Sequence, residues 1–223
     1  MQKVRINNLQ IELLYHVPVE ILAIATGMPY QSEPTNGLVK RVFQSQHRSI
    51  ARHAMAVFIV KDISQSLLRQ ISRHPHINLT VKSSRYCDMS DVGFYVPEKA
   101  LAKMGEDKRE KYIEDMNQVM NKYREWKMLE GEEKDLDVSK LFLPLGSYTD
   151  YVFSGNYQAL YEFLQLRNCV RAESEINKFS LEVTKIMKEK VPEIFGDLDC
   201  RGKEYGFCPE FKTCGKYPNK ERK

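Results

Sequence analysis

The sequence predicts an α+β fold: a single mixed domain with a small antiparallel sheet and long helices. Three observations point there. Met55 to Val60 is a continuous apolar run rich in branched residues, which suits a buried strand better than a helix. From Lys108 to Leu129, the apolar residues Tyr112, Met116, Val119, Tyr123 and Trp126 recur at steps of three and four, marking one helix face. Short strand-like stretches mixed with long helical ones argue for α+β.

Taken in order, Val4 to Tyr15 carries short branched runs that read as a strand or two. Pro18 to Thr26 reads as a helix opened by proline and stopped by Gly27. Thr35 begins another helix running toward Gln46, and the Met55–Val60 strand follows. Either Asp62 or Ser64 then caps a short helix whose apolar side is Leu67, Leu68 and Ile71. Gln70 lies three residues before Arg73 and four before His74, so the three are expected on one face. Pro75 breaks that helix, because the residue before a proline is driven out of the helical region.

His76 to Lys82 has too few apolar anchors for a helix and reads as a loop or edge strand. Phe94 to Val96, before Pro97, reads as a short strand. The charges flanking the Lys108–Leu129 stripe form a solvated face, and Gly131 to Asp137 is a polar link expected to be a mobile loop. A second long helix is expected from about Tyr157 to Lys190, with Leu160 and Leu164 on a stripe that Arg167 and Arg171 continue. No repeat or domain linker is visible. Residues 1–195 are expected to form the domain and 196–223 a Cys-containing tail.

Composition narrows the function. The 223 residues are 42% apolar and 29% charged, ordinary for a globular chain. The net charge of +4 favours anionic ligands, but no dense Lys/Arg stripe with interleaved aromatics suggests nucleic acid. No signal peptide or membrane-length apolar run is seen, so a cytoplasmic location is expected. No glycine-rich phosphate loop is present, which argues against a standard dinucleotide domain.

The segment QISRHPHINLTVKSSRY, Gln70 to Tyr86, is the best lead to a site. Arg73 and His74 open it, and Ser83, Ser84, Arg85 and Tyr86 close it. Cations and hydroxyls at both ends suit a phosphorylated small molecule, because the Arg fork matches phosphate oxygens. The plainer reading is a solvated helix end with cations set against the helix dipole. Arg167 is a further candidate. Cations on a buried stripe are costly unless paired or facing a ligand. Arg171 has Glu175 four residues on, whereas Arg167 has Phe163 before it and Arg171 after it.

The segment resembles the signature of flavin-dependent thymidylate synthases, which runs Arg-His-Arg, seven residues, Ser, then Arg two positions later. Arg73, His74, Ser83 and Arg85 fall in register. Upstream, where the family has a His and then Leu-Glu-His, this chain has His47, Ser49, Ile50, His53 and Phe58 at close to the same spacing. Downstream the likeness resumes with Leu143-Pro144, Thr149, Asn156, Phe163 to Arg167, Arg171, Ala172, Glu175 and Ile176. It covers most of residues 45 to 195. The chain departs from the pattern at Pro75, Asn78, Thr80 and Val81. It departs again at Gln158, where the family has Arg, and at Glu162, where the family has a flavin-contacting Asn.

The resemblance implies the fold of a thymidylate synthase complementing protein and reductive methylation of dUMP to dTMP. FAD would be the cofactor, with NADPH and methylenetetrahydrofolate as co-substrates. It implies that Gln70, Arg73, Ser83, Ser84, Arg85, Lys140 and Arg167 bind dUMP, with Arg167 polarising the uracil ring as the catalytic residue. Ser49, Arg73, His74, His76 and Asn156 would contact FAD. It further implies a homotetramer with sites between subunits; from composition and cysteine spacing, no nucleic acid, membrane or metal partner is expected. Lost charge at Gln158 and added charge at Glu162 are expected to weaken flavin binding. Two other readings stay open: a flavoenzyme modifying another pyrimidine nucleotide, from the altered loop, or a nucleotide-binding paralogue without catalysis, from Pro75, Gln158 and Glu162 on the flavin side.

Cysteine catalysis by Cys87 or Cys169 is not expected. Cys200, Cys208 and Cys214 in the tail lack the close pairing of zinc ligands, and a compact reduced tail is the expectation.

Overall fold

The computed structural model describes residues 5–105, 107–131 and 136–220. Four strands, β1 (Gln10–His16), β2 (Met55–Ser64), β3 (Ile77–Val81) and β4 (Tyr148–Asn156), form one antiparallel sheet in the order β1-β2-β4-β3. Within the stretch His76 to Lys82, Ile77–Val81 is therefore an edge strand. The helices are α1 (Val19–Gly27), α2 (Asn36–Gln44), α3 (Gln65–Ile71), α4 (Glu98–Leu101), α5 (Lys108–Glu130), α6 (Tyr157–Arg167), α7 (Ser174–Lys190), α8 (Pro192–Phe195) and α9 (Arg201–Tyr205). None of the described helices is long and apolar enough to cross a membrane.

The chain divides into two compact units. The first comprises Met1–Glu12, Ile59–Arg73 and Leu79–Val152; the second comprises Leu13–Phe58, His74–Asn78 and Phe153–Lys223.

In the first unit, Ser64 rather than Asp62 caps α3: its side chain accepts from the Leu67 amide at 3.0 Å. Asp62 is buried within β2 at a φ of 56°, where Arg5 and Asn8 donate to its carboxylate. The core gathers Met89, Phe94, Val96, Met116, Met120, Tyr123 and Tyr148. The buried stripe of α5 thus passes through Met120, while Val119 (41% exposed) and Trp126 (39% exposed) lie at its margin. Trp126 nevertheless stacks on Phe142, with ring centroids 5.3 Å apart.

The strand expected at Phe94–Val96 reduces to single bridges from Phe94 to Ile6 and Ser147. The Asn7 side chain takes both backbone groups of Val96, leaving nothing for a ladder. A side chain at Gly93 would put its Cβ 1.9 Å from the Arg5 carbonyl oxygen, so only glycine lets the two segments meet. Of the expected Gly131–Asp137 loop, residues 132–135 lie outside the described residues.

In the second unit, Thr35 caps α2 by accepting from Leu38 N. Phe58, Phe153, Phe163 and Phe179 form an aromatic cluster with centroids 5.6–6.1 Å apart. The single helix expected over 157–190 is two. Asn168 stops α6, and its buried amide is claimed by α7: Oδ1 accepts from Ser180 Oγ at 2.6 Å and Nδ2 donates to Thr184 Oγ1 at 2.9 Å. Asn177 of α7 donates to the carbonyls of Arg167 and Cys169, satisfying the end of α6.

Candidate functional site

Arg167 is the last residue of α6, half-buried, and its guanidinium meets His74. Nε and one terminal nitrogen approach His74 Nε2 at 3.0 and 2.9 Å. A guanidinium can only donate, so Nε2 supplies a lone pair and the ring proton sits on Nδ1. The imidazole also stands edge-on to Phe163, with centroids 4.7 Å apart and planes at 83°. Burial, followed by the nearby Arg167 charge, lowers the His74 pKa from 6.5 to about 4, so the ring is neutral near pH 7. Burial likewise draws the Arg167 pKa down, and no carboxylate among the described residues pairs with it.

A second group forms at the start of α6. Asn156 caps the helix, its Oδ1 accepting from Ala159 N at 2.9 Å, which leaves the Nδ2 donors for another partner. The 3-10 segment Arg48–His53 packs on α6 and carries Ser49, which is exposed. From the same segment, Arg52 Nε donates to Gln158 Oε1 at 2.7 Å, and Gln158 Nε2 donates to Glu162 Oε1 at 2.8 Å. His76 is exposed and left-handed, with a φ of 61°. A Cβ at Gly155 would lie 2.9 Å from Ile77 Cδ1 and 3.3 Å from the His76 carbonyl, so glycine admits this segment beside Asn156.

The expected shared face of Gln70, Arg73 and His74 does not form. The helix stops at Ile71, where Ser72 N bonds to the Leu68 carbonyl. Gln70 stays on the last turn, and Arg73 lies beyond the helix end, exposed. Ser83 and Ser84 enter a turn in which the Ser83 carbonyl accepts from Cys87 N at 3.0 Å and Ser83 Oγ accepts from Arg85 N at 3.3 Å. Arg85 and Lys140 converge on Asp137, at 3.3 and 2.5 Å. The hydrogen bond from Lys140, with added help from the Arg85 charge, holds the Asp137 carboxyl below its usual range. Two cations gathered around one carboxylate can also grip a phosphate.

The expected site residues thus fall into local groups: Ser83, Arg85 and Lys140 in one unit, and Arg167 with His74 in the other. Arg171 precedes α7, so it has no i,i+4 helical relation to Glu175; it donates instead to the Lys212 carbonyl. Two members were not singled out from sequence. Arg52 had a signal, because it immediately precedes His53, the place of Glu in the family's Leu-Glu-His run. Asp137 had none, lying in a stretch of ordinary charged residues.

All five cysteines are free. Cys169, Cys200 and Cys208 line one small cavity, where burial raises the Cys169 thiol pKa. Among the described residues no three His, Cys, Asp or Glu side chains are arranged to hold a metal ion.

Comparison with known proteins bears on the family of the chain. The family model described as thymidylate synthase complementing protein matches residues 12–193. The chain is 28% identical over 198 residues to the flavin-dependent thymidylate synthase of Nitratidesulfovibrio vulgaris, covering 84% of this chain and 79% of that protein. It is 27% identical over 223 residues to that of Geobacter sulfurreducens, covering 93% and 94%. With that of Thermotoga neapolitana it shares 30% identity over 163 residues, covering 72% and 74%.

Proposed function

The chain belongs to the thymidylate synthase complementing protein family, and on that premise we propose that it methylates dUMP reductively to dTMP as a flavin-dependent thymidylate synthase. The observation that carries the reading inside the family is Arg167. It is a half-buried cation without a carboxylate partner among the described residues, held by a neutral acceptor. Such a charge stays available to a ligand, whereas an ion-paired arginine is already neutralised.

Uracil C5 is a poor nucleophile. A cation directed at the ring stabilises the negative charge that develops on N3 and the carbonyl oxygens as C5 gains nucleophilic character. Arg167 takes this role. Arg85 and Lys140 grip the phosphate, with the Ser83 and Ser84 hydroxyls as further donors, and Gln70 and Arg73 complete the nucleotide side.

The donors of the second unit fit a flavin nucleotide. Ser49 offers a hydroxyl, Asn156 its free Nδ2, His74 its Nδ1–H, and His76 lies exposed nearby in sequence. Arg52 adds a guanidinium, and Glu162 is the one opposing charge in the group. When bound, reduced FAD would supply the hydride and methylenetetrahydrofolate the one-carbon unit, while the protein orients its ligands and excludes water. NADPH as the reductant, a homotetramer and a cytoplasmic location complete the reading, supported by the family resemblance.

The test is release of tritium from C5-labelled dUMP with FAD, NADPH and methylenetetrahydrofolate supplied. Release that disappears in Arg167→Ala is expected. Purified protein that binds dUMP but releases no tritium would overturn the reading.

A further inference from the structure

Arg167 has two of its guanidinium nitrogens committed to a single acceptor atom, His74 Nε2. A long arginine side chain at a helix end has many rotamers, and a catalytic cation must occupy one of them when substrate arrives. The fork on one lone pair removes most of that freedom. The acceptor is itself fixed, because the imidazole stands edge-on against Phe163, and Phe163 is 1% exposed within the aromatic cluster. A second restraint acts on the main chain, where Asn177 Nδ2 donates to the Arg167 carbonyl at 2.8 Å. Side chain and backbone of Arg167 are thus held from different elements.

We propose that His74 is a positioning residue for Arg167: as the neutral Nδ1–H tautomer it orients the guanidinium for the pyrimidine ring, and protonation of its Nε2 releases that guanidinium. The proposal rests on the thymidylate synthase reading for the identity of the ring that Arg167 meets.

Protonation acts twice. It fills the Nε2 lone pair, so both hydrogen bonds are lost, and it sets two cations about 3 Å apart. The charged group facing His74 from α6 is Arg167; along its own segment the neighbouring titratable groups are Arg73 and His76. Burial and Arg167 both oppose the proton, and no carboxylate favours it. His74 therefore stays neutral down to mildly acidic pH, which keeps Arg167 fixed across the working range. The role is compatible with a cofactor contact, because the free Nδ1–H points away from the nitrogen that Arg167 uses.

The experiment has a spectroscopic arm and a kinetic arm. In protein labelled with 15N at its histidine rings, His74 should show Nε2 as the unprotonated nitrogen at neutral pH. Its titration midpoint should lie well below the ordinary 6.5 and move upward in Arg167→Ala. In the FAD-loaded enzyme, His74→Ala should lower kcat for tritium release by about 10²-fold, the scale of a misplaced catalytic group. KM for dUMP should move less. His74→Gln, which keeps an acceptor but cannot titrate, should restore most of kcat and remove the loss of rate at acid pH.

An Nε2–H tautomer, or a titration midpoint unmoved by Arg167→Ala, sinks the proposal even if the wild-type protein releases no tritium. Full kcat in a flavin-loaded His74→Ala sinks it while leaving the thymidylate synthase reading intact. An inactive wild-type protein with the expected ring tautomer and midpoint shift overturns the reaction and leaves the His74–Arg167 pairing standing.

Discussion

Arg52 Nε donates to the Gln158 side-chain oxygen at 2.7 Å, so a guanidinium stands beside the residue that occupies the place of an arginine in the family pattern. The cation missing at position 158 is supplied from the neighbouring 3-10 segment, one position before His53. If this guanidinium meets the cofactor, the loss of flavin affinity expected from Gln158 alone should be offset by this second arginine.

Arg52→Gln should therefore weaken FAD binding about tenfold, the scale of one charge-assisted hydrogen bond. Glu162→Gln, which removes the opposing carboxylate from the same chain of contacts, should strengthen it. Titration of flavin fluorescence on the apoprotein reads both. Equal affinity in wild type and Arg52→Gln would show that this guanidinium faces solvent rather than cofactor.

Asp137 engages the cations expected to grip the nucleotide phosphate. Asp137→Asn removes the carboxylate that Arg85 and Lys140 share, so dUMP affinity should rise several-fold at low ionic strength. The gain should shrink near 0.5 M salt, where exposed charges are screened. Calorimetric titration at two salt concentrations checks this, and a weaker complex in the variant would mean that Asp137 arranges the two cations rather than competing for them.

Stability should fall with acid through His74. Its folded pKa, about 4, lies below the ordinary 6.5, so the unfolded chain binds the proton more readily between those values. The contribution is complete above about pH 6.5 and is lost as pH drops toward 4. Melting temperatures over this range should fall more steeply for wild type than for His74→Gln, and parallel curves would contradict the assignment.

Asn168→Ala should destabilise the protein by about 2–3 kcal/mol, because the Ser180 and Thr184 hydroxyls lose their buried partner. A urea unfolding midpoint measures the loss. A variant as stable as wild type would show that the two hydroxyls find other partners.

Much of this was readable without coordinates, for identifiable reasons. Thr35 and Ser64 cap helices through bonds to residues three positions on, and such local chemistry is written in the sequence. The break after Arg167 was not. Arg167 and Arg171 continue the stripe of Leu160 and Leu164, and the hydroxyls that claim the Asn168 amide lie 12 and 16 residues away. The α5 stripe misled for a similar reason: Val119 and Met120 are adjacent, and only the packing around Tyr123 and Tyr148 selects the methionine. The site divided along the same line. Arg73, Ser83 and Arg85 belong to a contiguous motif, whereas Arg52 and Gln158 are 106 positions apart and acquire meaning as a pair only in space.

The turn between α6 and α7 has a consequence for how such an enzyme can change. The Arg167 carbonyl is anchored by Asn177 and the Asn168 amide by Ser180 and Thr184, all three residues reaching across from α7. Residues 170–172 therefore join two helix ends that are already fastened to each other. Exchanges at exposed Val170 should be absorbed without displacing the guanidinium a few positions upstream, whereas Arg171 is tied to the Lys212 carbonyl.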